Sequence, residues 1–536
     1  MRNTFKSLLH NLKENANRFD PISLETKFKC LKDLSKMILP VNKELITYFE
    51  TLLFIIAYPS DATQLFLAEK ELIRITKILQ ANRKSQSKLF DNSGMTFTST
   101  ITRFSHDGVR WLLAHPHCNV TFNSFESPTL QLNEVLRMTL TSLEKSETTA
   151  GLSNQSLMDM LLVPEKQRLR FIINELARLD HLPFIKDHFF DRLELFVRVT
   201  PKDKLFSKAY NRLHFPSPYF NLELLKKFEV KEVIIKTLPA CAEMLNEESE
   251  KVVYVIKNSM AVTGRETDPT TFMEDGSLRL YHLERGISVA IYSMIPSRQL
   301  PLESYVGFTA FKNGFPVAYG GAWVFGERAN FGINIFESFR NGESAFILAQ
   351  LLRVYKHVFK LCYFEVEPYQ FGLDNPEGIA SGAFWFYYRF GFRPLDLTLG
   401  QKANEEHEKI KTRKGYRTSH KTLIRFTESS IGLKLGKSVP PGVVDVTARV
   451  TRMIQRRYNG DRILAEADCR TKFLVKTKIT ATHDEYQIQV LTEVALWAEA
   501  LTIKEAHRLD LLGQMITAKP RDVYAYQDLV INFFKD

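Results

Sequence analysis

The chain predicts a mixed α/β protein: a mixed, mostly antiparallel sheet with flanking helices, set between mostly α-helical N-terminal and C-terminal regions. Two observations carry this. Residues 287–337 hold short runs that alternate at period two or are β-branched, whereas much of the chain before 262 and after 440 repeats its apolar positions every three to four residues. Between Asn330 and Asp396 the order strand, polar turn, helix, strand, helix, strand is compressed into one stretch.

At 536 residues the chain suggests about three units of ~100–200 residues. Hydrophobic content of 44% and charged content of 25% are those of a globular protein. The 40 phenylalanines call for large cores or an apolar channel. Cys30, Cys118, Cys241, Cys362 and Cys469 are scattered, without metal or redox spacing, which points to a reducing compartment. The first ten residues lack the apolar core and cleavage site of a secretion signal. The longest apolar run, Leu45 to Tyr58, is broken by Glu50 and falls short of the ~20 residues a membrane span needs. A soluble, cytoplasmic protein without a membrane span is expected.

Net charge is +11, and residues 401–457 hold 14 Lys and Arg against 5 Asp and Glu, a local excess of +9. The densest part, Lys409 to Arg425, surrounds a Gly-Tyr turn. Such a patch suits RNA, an acidic carrier protein or coenzyme phosphates, or is a solvated face.

Taken in order, residues 1–90 read as helices, with Pro59-Ser60-Asp61 opening one of them. Residues 91–150 are less regular. His115-Pro116-His117-Cys118 is a dense group of metal-ligating side chains, but zinc wants a second ligand pair and none lies nearby, so no metal is expected. Lys145 to Gln155 reads as a polar linker, a break within the 1–262 region. Helical patterning resumes over 157–196 and 222–257, separated by a loop at 215–220. A junction falls near Thr263 to Pro269. Strands follow at 287–295, 305–311 and 317–325, the last two joined by the hairpin turn Asn313-Gly314. Gly320-Gly321 marks a bulge or a close backbone approach. After the central stretch, 395–399 and 422–426 read as strands and complete a domain over 263–430. Residues 431–536 are helical, with 443–458 and 486–512 the longest periodic segments.

Within the central stretch, Phe331, Ile333 and Ile335 share one strand face, and Arg340-Asn341-Gly342-Glu343-Ser344-Ala345 turns into an apolar helix reaching about Lys360. A first turn of small residues leaves its backbone N–H groups open and favours a phosphate. The next strand, 362–367, puts Tyr363, Glu365 and Glu367 on one face. Then come a glycine-rich segment, 368–382, suited to a lid, and Tyr387-Tyr388-Arg389-Phe390-Gly391-Phe392.

This order resembles the GNAT acyltransferase superfamily over about 285–430. There a strand leads through an Arg/Gln-x-x-Gly-x-Gly/Ala turn into the helix that holds the pyrophosphate of an acyl-coenzyme A, and a Tyr-x-Lys-x-Gly-Phe sequence ends a later helix. The resemblance implies that Arg340, Asn341, Gly342, Ser344 and Ala345 seat the phosphates. Glu343 stands where the family has glycine, either repelling a diphosphate or pointing outward. By position Tyr387 matches the tyrosine that protonates the departing thiolate; the alternative is aromatic packing. Glu337 and Glu367 are candidate bases for the attacking amine, against solvent exposure or pairing with arginines.

The function implied is transfer of an acyl group from a thioester, of coenzyme A or of an acyl-carrier protein, to a small-molecule or peptide amine, with an aminoacyl-tRNA as a variant donor. The alternative is a non-catalytic module that binds nucleic acid or an acidic protein through 401–457. No P-loop, dinucleotide fingerprint or Gly-x-Ser-x-Gly elbow is present, which argues against nucleotide hydrolysis, dehydrogenase and serine hydrolase chemistry.

Overall fold

The computed structural model describes residues 4–83, 88–149, 151–215, 217–479 and 483–535. Ala150 of the expected linker and Pro216 of the expected loop lie outside them. The chain divides into two compact units. Met1–Leu224, Asn246–Thr271 and Lys312–Pro316 form the first; Leu225–Leu245, Phe272–Phe311 and Val317–Asp536 form the second.

In the first unit four helices, Phe5–Asn15, Pro21–Leu34, Lys43–Ala57 and Ala62–Ala81, each begin where Thr4, Asp20, Asn42 or Asp61 accepts a backbone N–H of the first turn. The apolar run at 45–58 is core, with Leu45, Leu52, Leu53 and Ala57 fully buried. This unit also holds a three-stranded sheet, β1 (Thr100–Thr102), β2 (Cys118–Phe125) and β3 (Leu195–Pro201), in the order β1-β3-β2 with antiparallel pairing. Helical patterning over 157–196 hid the start of β3. Its buried residues Leu195, Val197 and Val199 alternate, but over so short a run that only pairing with the distant β2 decides for a strand.

The second unit is organised on an eight-stranded sheet. Its strands are β4 (Arg279–His282), β5 (Ile287–Ser293), β6 (Ser304–Lys312), β7 (Phe315–Phe325), β8 (Arg328–Ile335), β9 (Tyr363–Val366), β10 (Arg393–Pro394) and β11 (Ile431–Lys434). They lie in the order β10-β11-β9-β8-β7-β6-β5-β4. The pairs β4–β5, β7–β8, β9–β11 and β10–β11 are antiparallel, whereas β8–β9 is parallel. Asn313 and Gly314 take positive φ, 47° and 83°, as a tight turn from β6 into β7 requires. A Cβ on Gly320 would strike the carbonyl of Gly332 and the ring of Phe308. The paired glycines are therefore a close approach between packed strands.

Four expectations change. Residues 422–426 are helical: Ser419 caps the helix His420–Phe426 by accepting the N–H of Thr422 at 3.2 Å, and the strand is Ile431–Lys434, where β9 offers an edge. The strand expected at 395–399 shrinks to Arg393–Pro394, because Asp396 accepts the N–H of Leu399 at 2.8 Å and starts the helix Leu397–Thr412. The segment 222–257 is helical only over Val230–Ile235 and from Asn246. The periodic stretch 486–512 is two helices, Glu485–Ala500 and Ala506–Ala518, parted by Thr502 at φ 57°.

The C-terminal helices build a core around Trp497, Val494, Met515 and Val530 that takes in Phe325 of β7. They also grip the segment leading into β6. Tyr486 and Tyr526 donate to the carbonyls of Leu300 and Leu302, and Lys519 Nζ donates to the carbonyl of Glu303 at 2.7 Å and to Ser304 Oγ at 2.5 Å. No helix among the described residues is long and apolar enough to cross a membrane.

Burial lowers the Lys519 ammonium from 10.5 to about 7, against the pull of Glu303 and then Glu493. The unfolded chain therefore binds the extra proton between pH 7 and 10.5, and this site's contribution to stability rises with pH across that window. Urea unfolding of the Lys519→Met variant alongside the parent should show the parent gaining more stability from pH 7 to 9. Equal pH dependence in the two proteins would contradict the burial of a strained ammonium.

Candidate functional site

The parallel pair of the second unit sets the site. β8 and β9 pair over only three rows, Arg328 with Tyr363, Ala329 with Phe364 and Asn330 with Glu365. Beyond Asn330 the rest of β8 runs on without β9, which ends at Val366 and turns into a short 3-10 helix, Pro368–Phe371. Phe331 packs inward on Phe308 and Tyr355 with ring centres 5.5 Å apart in each case. At Gly332 the strand meets Gln370, whose amide nitrogen would lie 2.9 Å from a Cβ there. Where the two strands part, Gly332 thus faces a carboxamide.

The carboxylates of the other face are engaged. Glu365 pairs with Arg328, and the exposed Glu367 accepts from the Asn330 carboxamide. Glu337 is exposed at the start of a 3-10 turn, Glu337–Phe339. That turn is closed by Phe339 N–H on the Phe336 carbonyl and Gly342 N–H on the Phe339 carbonyl, at 2.9 and 3.0 Å.

The helix Ser344–Phe359 then begins without a side-chain cap. Ser344 Oγ donates to the Arg340 carbonyl at 3.1 Å, and Asn341 is exposed. Arg340 itself is about half exposed and ion-paired with Glu377 of the helix Pro376–Ser381, within the glycine-rich segment. Glu343 neither caps the helix nor points outward. It is 1% exposed and accepts from Arg285 Nε at 2.8 Å and from the backbone N–H of Leu225 at 2.9 Å. Arg285 sits at φ 61°, a left-handed backbone that this pairing helps hold.

Tyr387 lies in the helix Ala383–Arg389 and is 2% exposed, its ring 5.5 Å from those of Phe386 and Phe392. Burial pushes its phenol up, so it stays protonated at neutral pH. Gly391, at φ 100°, then turns the chain toward β10. Its neighbour Tyr388 donates to Asn404 and lies under the Arg393 guanidinium at 3.8 Å. Arg285, Gln370 and Glu377, which complete this surface, carry no local sequence signal, because each meets its partner more than thirty residues away in the chain.

In the first unit, burial holds the His115 imidazole down at about 4, and His117 Nδ1 meets Asp203 at 2.5 Å. Cys118 is buried at the head of β2 and points at the Leu112 carbonyl. Among the described residues, no group of three His, Cys, Asp or Glu is placed to hold a metal ion.

The basic stretch separates into two parts. On the helix Leu397–Thr412, Lys402, Lys409 and Lys411 pair with Glu405, Glu406 and Glu408 one turn away. Arg413, Lys414, Arg417, Lys421 and Arg425 are exposed and have no carboxylate partner among the described residues.

No protein-family model, curated protein or solved structure matches the chain.

Removing the Glu343 carboxylate takes an ion-pair partner from the Arg285 guanidinium, which is 16% exposed. Loss of one member of a buried pair costs about 3–5 kcal/mol. Glu343→Ala should therefore lower the denaturant midpoint markedly, and Glu343→Gln, which still accepts from Leu225, should lower it less.

Proposed function

We propose that the sheet of the second unit is a GNAT-like acyltransferase domain that moves an acyl group from a thioester, of coenzyme A or of an acyl-carrier protein, to an amine. The observation that carries this reading is the parallel β8–β9 pair, which parts after three rows beside the uncapped start of the connecting helix. Parted strands offer free backbone groups to an extended acyl-pantetheine arm, and open helix N–H groups favour its phosphates. The antiparallel β7–β8 pairing that feeds this unit and the Gly391 turn after Tyr387 support it further. Glu343 supports it by its direction: it is spent on Arg285 and Leu225 instead of the helix's own N–H groups.

In this reading the N–H groups of Ser344 and Ala345, with Gly342 leaving room and Asn341 at the rim, receive the phosphates. Arg340 joins them by exchanging Glu377 for the ligand. The amine nitrogen attacks the thioester carbonyl, the C–S bond breaks, Tyr387 gives its proton to the thiolate, and Glu367 or Glu337 takes the proton shed by the amine. Tyr387 acts only when its side chain, packed against Phe392, is reached by the sulfur.

Thermal unfolding with a panel of acyl-coenzyme A species tests this. A thioester at ~100 times its dissociation constant adds about 2.7 kcal/mol, a measurable rise in melting temperature. Arg340→Ala should abolish the rise, and Tyr387→Phe should keep it while slowing acyl transfer. Absence of a shift with every thioester rejects free coenzyme A as donor.

A further inference from the structure

The five unpaired cations between Arg413 and Arg425 stand apart from the thioester reading and do not depend on it. They lie on the connection between the helices Leu397–Thr412 and His420–Phe426 and on the second of these, inserted between β10 and β11. Lys421 and Arg425, four apart on that helix, fall on one face. Every lysine of the preceding helix has a carboxylate one turn away. The cations after it have none, although Glu405, Glu406 and Glu408 are close in sequence. The chain thus neutralises one half of a basic hairpin and leaves the other half bare.

Three of the five are arginines, whose planar fork matches a phosphate bidentately. Little apolar surface accompanies them: across the hairpin the exposed large apolar side chains are Leu397 at 84%, at the far start of the first helix, Ile410 at 37% and Ile424 at 48%. A protein partner would be met by an apolar centre depleted of charge, whereas nucleic-acid interfaces are polar and strongly positive. Tyr416, half-buried between Arg413 and Arg417, donates to Glu406 at 2.7 Å and so ties the loop to its helix.

We propose that the 413–425 face binds the phosphodiester backbone of a nucleic acid, through charge and shape instead of base reading. Because the contacts are to phosphate, affinity depends steeply on salt and little on base sequence.

The test uses the full chain and fluorescence anisotropy with labelled RNA and DNA of about 20 nucleotides, single-stranded and duplex, over a range of NaCl concentrations. The site variant carries R413E, K414E, R417E, K421E and R425E. A control variant with the same charge change carries K6E, K13E, K29E, K32E and K36E, at exposed lysines of the first unit. Both must melt within a few degrees of the parent; if the site variant does not, Ala replacements at the same five positions take its place. The expected result is a loss of about ten-fold or more in the site variant alone, with the slope of log affinity against log salt falling by about 0.7–0.9 per contact removed. Arms that bind in this way identify the strand type. No binding by the parent, equal loss in both variants, or tighter binding to polyglutamate than to nucleic acid of equal charge each overturns the proposal.

Discussion

Arg353 lies in the middle of an apolar helix and is 1% exposed. It cannot stay there uncompensated, since a buried unpaired charge costs several kcal/mol. Its fork donates to the carbonyl of Lys236 at 2.9 Å, to that of Thr237, to Glu284 at 2.8 Å and to Gln350 at 3.0 Å. The backbone around 236–245 has no regular secondary structure, and Arg353 supplies donors to two of its carbonyls. Burial alone would raise the Glu284 carboxyl, but Lys236 and then Arg353 hold it down at about 2. One arginine thus fastens an irregular strap and the turn before β5 to the helix Ser344–Phe359.

The candidate site inherits its geometry from that fastening. Ten residues before Arg353, at the start of the same helix, Glu343 makes a second buried pair, with Arg285 of the same turn. With both ends of this contact fixed, the helix cannot rotate to bring Glu343 over its own N–H groups, and the first turn remains uncapped. The uncapped helix start lies beside the parted β8–β9 strands and the Arg340–Glu377 pair. An apolar replacement of the network could be as stable, but it would not dictate which way Glu343 points.

The C-terminal helices also brace the sheet, and Tyr524 of the last one stacks on Phe359 of the helix Ser344–Phe359. Tyr486, Lys519 and Tyr526 satisfy the polar groups of 300–304 just before β6 begins. Trp497 packs on Phe325 at the end of β7. β6 is therefore braced where it begins and β7 where it ends. The buried ammonium of Lys519 makes part of that brace sensitive to pH.

Elements whose signal is local were legible in the chain by itself: capped helices such as Ala62–Ala81, the Asn313-Gly314 turn, the run from β7 through β8 to the long helix and β9, and the helix Val443–Tyr458. Each depends on periodicity, a cap or a turn residue within a few positions. Tertiary structure alone decided that 431–434 and not 422–426 forms a strand, that Glu343 turns to Arg285, and that Glu377 occupies Arg340. These ion pairs are made between side chains brought together by the fold, and an arginine fifty-eight residues upstream of Glu343 or a carboxylate thirty-seven residues downstream of Arg340 leaves no periodic trace. Charge can be counted along a chain, and pairs one helical turn apart follow from spacing, but only packing determines which distant charges are cancelled.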